Sequence, residues 1–303
     1  MLGKTWKSPK KMERTLPWDV DSIQVEYSLV TVSYEDENQG KNPAPTDPVS
    51  NPPISLNAYV GKKIQLTFTG QIRCVDCGRP TSKSFNQGSC FPCFTKKASN
   101  DLCILQPTRC HYHLGTCREP EWGEKNCFQS HSLYLAISSG PKVGITKEKK
   151  IENRWIDQGA SLAIEVLKTD SRIEAGFLEE WMGKFIPDKT AWQKMVSGEP
   201  DLGLFDLTRE REKFFKAISK ANLEFPESGT KKKSIGIYPS QSKKPTQIIY
   251  PIQSYPKAKS IKMEPGKKIS SELLGIKGQY LLLGDGVINL RNLEGHRIEY
   301  ILG

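Results

Sequence analysis

The chain has 303 residues, 37% of them apolar, and its 44 Lys and Arg outweigh 34 Asp and Glu for a net charge of +10. That length accommodates two domains or one elaborated domain. No run approaches the roughly 18 apolar residues of a spanning helix, and "MLGKTWKSPKKMERTLPW" lacks the apolar centre of a signal peptide, so a cytoplasmic location is expected.

In chain order, "SIQVEYSLVTVSY" (22–34) alternates Ile23, Val25, Tyr27 and Leu29, then shifts phase at Val30 and Val32, as a strand with a bulge would. "EDENQGKNPAPTDPVSNPP" follows with five prolines and no apolar period, the composition of a disordered loop. "KIQLTFTGQI" alternates Ile64, Leu66 and Phe68 and reads as a second strand.

All eight cysteines lie between residues 74 and 127. Cys74 and Cys77 are separated by two residues, as are Cys90 and Cys93, with twelve between the pairs. This is the spacing of two knuckles that close a tetrahedral zinc site, and Gly78 and Pro80 supply turn chemistry after the first. A disulfide reading requires an oxidising compartment, for which no targeting signal speaks. The remaining cysteines, Cys103, Cys110, Cys117 and Cys127, have His111, His113 and His131 among them. Their irregular spacing names no unique quartet. A second structural zinc on Cys110, Cys117, Cys127 and His131 is favoured, with Cys103 and His113 as substitutes.

Beyond the cysteines, "HSLYLAISSGPKVGIT" places two short apolar runs around a Ser-Ser-Gly-Pro turn, followed by a helix-like segment with Arg154 and Trp155. Ile173, Phe177, Trp181 and Phe185 then step by four, predicting an amphipathic helix from Arg172 that stops at Pro187. A second helix is expected over "LTREREKFFKAISKANLEF", with Thr208 as a possible cap and Pro226 beyond its end.

Between Lys231 and Lys268 there are ten Lys and one Glu, so this window alone carries +9. Lys231, Lys232, Lys233, Lys243 and Lys244 are interleaved there with Tyr238, Tyr250 and Tyr255, a mixture able to meet phosphates with charge and bases with rings. A solvated linker is the alternative. Near the end, Gly284-Asp285-Gly286 between apolar runs signals a hairpin, and "HRIEYIL" a last strand. Neither end of the chain can bury a core alone, so the two are expected to pack together as a β-domain.

Tyr134 in "SLYLA", then "KVGIT", Arg154 on a helix and "IEAGFLEEWMGKFIPDK" together resemble the GIY-YIG endonuclease domain, over residues 132 to about 187. Tyr134 falls on the tyrosine of that family's first motif strand, and Val143, Gly144 and Thr146 fit the second. Arg154 sits at the helix arginine. Glu179, four residues after Ala175, sits at the metal-binding glutamate. Lys142 stands where the second motif strand usually carries tyrosine, as in some branches of the family. The resemblance implies a nuclease site of Tyr134, Lys142, Arg154 and Glu179 holding Mg or Mn. The wider arrangement, from "CHYHLGTCREPEWGEKNCFQSH" to "GIKGQYLLLGDGVINLRN", also resembles an uncharacterised bacterial domain family, which implies no activity.

The expected architecture is α+β: N-terminal strands with a Pro-rich loop (1–73), a zinc-stapled module (74–131), a GIY-YIG-like small sheet with flanking helices (132–225), and a basic segment with C-terminal strands (226–303) that complete a β-domain with the N-terminal ones. The expected partner is nucleic acid, DNA or RNA, and not a membrane. A metal-dependent nuclease and a non-catalytic zinc protein that binds DNA or RNA on a degenerate nuclease fold are the two leading functions. A protein-interaction module would show no salt-sensitive nucleic-acid binding.

Overall fold

The computed structural model describes residues 2–7, 18–30, 32–33, 49–186, 191–228 and 231–303. It is a mixed α+β protein with several sheets and short helices. Most of the proline-rich stretch and the Pro187 helix stop lie outside the described residues. No helix among the described residues is long and apolar enough to cross a membrane.

The chain divides into two compact units, one formed by Met1–Lys7, Gln24–Lys96 and Tyr250–Gly303, the other by Ser8–Ile23 and Lys97–Ile249. The division at Lys96 puts the two sets of cysteines in different units.

The first unit joins the two ends of the chain, as their small size demanded. Its five-stranded antiparallel sheet runs Gly286–Asn289, Tyr280–Leu283, Lys268–Lys277, Lys63–Ile72, His296–Leu302. Lys63–Ile72 is paired on both sides, its alternation of Ile64, Leu66 and Phe68 burying one face, and Leu66 stands opposite Ile269 on one side and Tyr300 on the other. The Gly284-Asp285 turn closes the hairpin, with Leu283 opposite Gly286. The phase shift after Leu29 marks a strand break and not a bulge. Asp21–Leu29 pairs with Leu2–Lys7, whereas Val32–Ser33 pairs separately with Val49–Ser50.

In the second unit, the strand His131–Ile137 lies between Pro141–Lys147 and Leu162–Thr169, and Leu162–Thr169 also pairs with Thr246–Ile249 and Tyr238–Pro239. All seven residues of His131–Ile137 are buried, so both faces of this strand are covered. Leu133, Leu135, Ile137, Val143 and Ile145 form one core with Ile173, Leu178 and Met182 of the helix Arg172–Met182 and with Leu207, Phe214 and Ile218 of the helix Leu207–Lys220. Tyr134 alternates onto the other face, where its ring meets Trp155 of the helix Ile151–Asp157 edge-on at 6.2 Å.

Two expectations for these helices are corrected. The four-step series is met only in part: Ile173 is buried with Ala175, Leu178 and Met182, Phe177 and Trp181 pack partly buried against the same core, and Phe185, 62% exposed beyond the helix, only lies tilted against Trp181 and Phe214. The cap of Leu207–Lys220 is Asp206, whose carboxylate accepts the N–H groups of Thr208 and Arg209, so Thr208 is already inside the first turn.

Candidate functional site

Lys63–Ile72 leads directly into the first knuckle. The Gly78 N–H donates to the Cys74 carbonyl at 2.9 Å, and Gly78 has φ +71, a left-handed turn that glycine adopts without strain. The Cys90 N–H donates to Cys74 Sγ at 3.1 Å, joining the second knuckle to the first. The Sγ atoms of Cys74, Cys77, Cys90 and Cys93 lie within 4.8 Å of one another, a four-sulfur group that can hold zinc. Crowding makes the thiols unequal. Burial pushes Cys77 up, but the Arg79 N–H and hydrogen bonds from the other sulfurs bring it down to about 7. Burial and the same neighbours push Cys93 well up. Four thiols this close resist losing their protons together, and a divalent cation removes that penalty.

The remaining cysteines lie on separate turns of the second unit. Cys103 sits in the 3-10 turn Leu102–Ile104, Cys110 follows Pro107–Arg109, and Cys127 ends the helix Pro120–Cys127. Cys103, Cys110, Cys117 and Cys127 line one cavity together with Asp101, His111 and Arg118. Within it, Asp101, Cys103 and His111 bring their ligand atoms within 4.8 Å, a second group that can hold zinc. His131 does not line this cavity. It opens a strand of the central sheet, fully buried, with Nδ1 2.7 Å from the Gln129 carbonyl, and burial holds its pKa down at about 4. Of the favoured quartet, Cys110, Cys117 and Cys127 line the cavity together with the substitute Cys103, whereas His131 lies outside its wall with its buried Nε2 without a hydrogen-bond partner among the described residues, and His113 joins neither group.

This segment is seated on the helix Arg172–Met182. A Cβ at Gly176 would lie 2.4 Å from Pro107 Cβ, so only glycine admits the turn. One turn earlier, Arg172 donates through Nη2 to the Ile104 carbonyl at 2.6 Å. Arg172 also lines a cavity with Cys103, Cys110 and Cys127.

Tyr134, Arg154 and Glu179 are gathered electrostatically. Burial raises the Tyr134 phenol to about 12; the Arg154 guanidinium, by charge and hydrogen bonding, opposes the rise, and the Glu179 carboxylate adds to it. The phenol is thus a neutral donor, giving its proton to Gln158 Oε1 at 2.8 Å. Tyr134 stands opposite Gly144, where a Cβ would be 2.4 Å from the phenolic oxygen, so the glycine of the second strand makes room for the ring. Lys142 stands opposite Ala136, hence on the Tyr134 face of the sheet, and is 9% exposed. Glu179 is half-buried on Arg172–Met182, seven residues after Arg172 and so on the same stripe. The sequence reading did not single out Gln158, Arg172 or Asp101. The spacing i, i+4 from Arg154 to Gln158 was a usable signal, whereas nothing local marked Arg172 or Asp101.

Lys231, Lys232 and Lys233 form an exposed strand, Lys231–Ser234, antiparallel to Glu224–Ser228. Lys243 and Lys244 are exposed too, and Lys244 Nζ is 2.5 Å from an Asp19 carboxylate oxygen. Of the interleaved tyrosines only Tyr238 is exposed. Tyr250 and Tyr255 belong to the first unit, where the ammonium of fully buried Lys277 lies 5.7 and 5.5 Å from their rings, so they are not free platforms for bases.

Fold and site together define an α+β protein with two cysteine-containing groups able to hold zinc. The chain belongs to the family described as "Protein of unknown function (DUF2797)", whose model matches residues 61–298. No curated protein and no solved structure matches it.

Proposed function

We propose that the chain is a zinc-containing nucleic-acid-binding protein with a GIY-YIG-like, metal-dependent phosphodiesterase site. The observation that supports this reading is the effect of Arg154 and Glu179 on a single hydroxyl, that of Tyr134, with Lys142 on the same face of the sheet. Phosphodiester hydrolysis requires an oriented water, neutralisation of the phosphoryl oxygens and stabilisation of the leaving oxygen. In this reading the Arg154 guanidinium clamps the phosphate and the neutral Tyr134 phenol orients the nucleophile. Lys142 serves as phosphate ligand or base. Glu179 would hold Mg or Mn, which takes few carboxylates and several waters and supplies charge at the leaving oxygen. The exposed lysines Lys231, Lys232 and Lys233, with Lys243 and Lys244, would track the backbone of DNA or RNA.

A second reading, a non-catalytic binding protein on the same scaffold, is favoured by the engagement of the Tyr134 hydroxyl with Gln158 and by lysine at position 142. A cleavage screen over branched, single-stranded and duplex substrates with Mg or Mn separates the two. Nuclease function requires that Glu179→Gln abolish cleavage and spare binding, while Arg154→Ala weakens both. Binding without cleavage on every substrate would leave the second reading. In either case affinity should fall steeply with salt, and neutralising Lys231, Lys232 and Lys233 should flatten the slope. An unchanged slope would remove this strand from the interface.

A further inference from the structure

We infer that Asp101, Cys103 and His111 form a second zinc centre, bound through Asp101 Oδ1, Cys103 Sγ and His111 Nε2, with the fourth position open to solvent. The inference extends the zinc part of the proposed function and is independent of the nuclease part.

The first ground is geometry. The three groups bring one ligand atom each within 4.8 Å of one another, and no fourth Cys, His, Asp or Glu among the described residues joins them. His111 Nε2 is 3.5 Å from Asp101 Oδ1, and two ligand atoms each about 2.0 Å from a tetrahedral zinc lie about 3.3 Å apart. Asp101 and Cys103 come from one turn, because Asp101 caps Leu102–Ile104 and its Oδ1 accepts the Cys103 N–H at 3.3 Å. His111 enters just before the turn Tyr112–Leu114. Cys110, Cys117 and Cys127 share the cavity wall, but their sulfurs do not close on this group. Three protein ligands and a water make an open zinc site.

The second ground is the state of the histidine. Thr116 Oγ1 donates its one proton to the His111 carbonyl at 3.2 Å, so in its 2.8 Å contact with His111 Nδ1 the ring nitrogen is the donor. Nε2 of the neutral imidazole then carries a lone pair, and it faces a carboxylate oxygen. These two acceptors repel unless a cation lies between them. One ring nitrogen fixed as donor to a neighbour while the other is left for the metal is the arrangement of a zinc-bound histidine. The other carboxylate oxygen, Asp101 Oδ2, is held by Arg118 Nε at 2.7 Å, which leaves Oδ1 for the ion.

The third ground is that such a centre fits its surroundings. One thiolate, one carboxylate and a neutral imidazole leave zinc without net charge, which suits three half-buried ligands. Between residues 97 and 130 only Ala98, Pro107 and Gly123 are buried, while Leu105 and Leu114 are 75% and 60% exposed. Apolar burial on that scale holds these turns weakly, and a metal that joins Leu102–Ile104 to His111 cross-links them.

Metal analysis and X-ray absorption at the zinc edge of the purified full-length protein test this. Expected are two zinc ions per chain and an average shell that mixes sulfur at about 2.3 Å with nitrogen and oxygen at about 2.0 Å. An all-sulfur shell or one zinc per chain would overturn the proposal, and no zinc would overturn it together with the first centre. Cys103→Ser and His111→Gln should each lower the count from two to one, while Cys110→Ser, Cys117→Ser, Cys127→Ser and His131→Gln keep two. Two zinc ions in either of the first pair, or one in any of the last four, would overturn it. Where a variant fails to fold, Thr116→Val decides. With Nδ1 deprived of its partner, chelator competition should show one zinc bound about 10- to 100-fold more weakly and the other unchanged. Parental affinity for both ions would overturn the proposal.

Discussion

The two sets of cysteines are organised on different principles. In the first, each pair shares one tight turn, closed by backbone hydrogen bonds such as Gly78 to Cys74, so two sulfurs converge within four residues and only two turns need to meet. In the second, Cys103, Cys110, Cys117 and Cys127 come from different turns, and the segment bearing them is held by Pro107 against Gly176 and by Arg172 on the Ile104 carbonyl. A locally written site can be read from spacing. A site assembled from separate turns depends on the helix beneath it.

The largest test of this contrast is Cys74→Ser. The binding energy of a structural zinc, on the order of 10 kcal/mol in small zinc-binding peptides, is folding energy, so the variant should lose one zinc and melt far below the parent in a thermal scan. A soluble variant with unchanged melting temperature would deny the first centre a structural role. Next comes Gly176→Ala. Its Cβ would collide with Pro107, and forced displacement of that kind costs about 1–3 kcal/mol. Competition with a chelator should then strip zinc faster from the second set while the first keeps its rate. Equal acceleration at both would erase the distinction.

Gly78→Ala is the local counterpart. A side chain at φ +71 costs about 1–2 kcal/mol, and here the first centre should lose zinc faster and the second should not. The smallest expected effect belongs to Asp206→Ala, which removes the carboxylate that caps Leu207–Lys220, at about 1 kcal/mol. Urea denaturation should register that loss with two zinc ions still bound. A variant as stable as the parent would mean that water replaces the cap.

Features of short range were legible in the sequence: the Cys74–Cys93 knuckles, the alternation of Ile64, Leu66 and Phe68, the Gly284-Asp285 turn, and the hairpin that carries Tyr134 opposite Gly144. Each is specified by residues a few positions apart, through side-chain period or turn chemistry. The pairing of Lys63–Ile72 with the C-terminal strands in one sheet also followed, because neither could bury a core alone, although Leu2–Lys7 and Asp21–Leu29 lie in a different sheet. Tertiary structure alone decided how deeply each residue of Arg172–Met182 lies: Ile173, Ala175, Leu178 and Met182 are buried, Phe177 and Trp181 pack partly buried against the same core, and Phe185 lies past the helix. It withdrew Tyr250 and Tyr255 from the basic window by packing them on Lys277, and it put Cys103 at the cavity wall and His131 outside it. A histidine four residues after a cysteine is close in sequence, but the strand that begins at His131 commits its ring to the interior, and that commitment is made by pairing with Lys147 and Thr169, residues far along the chain.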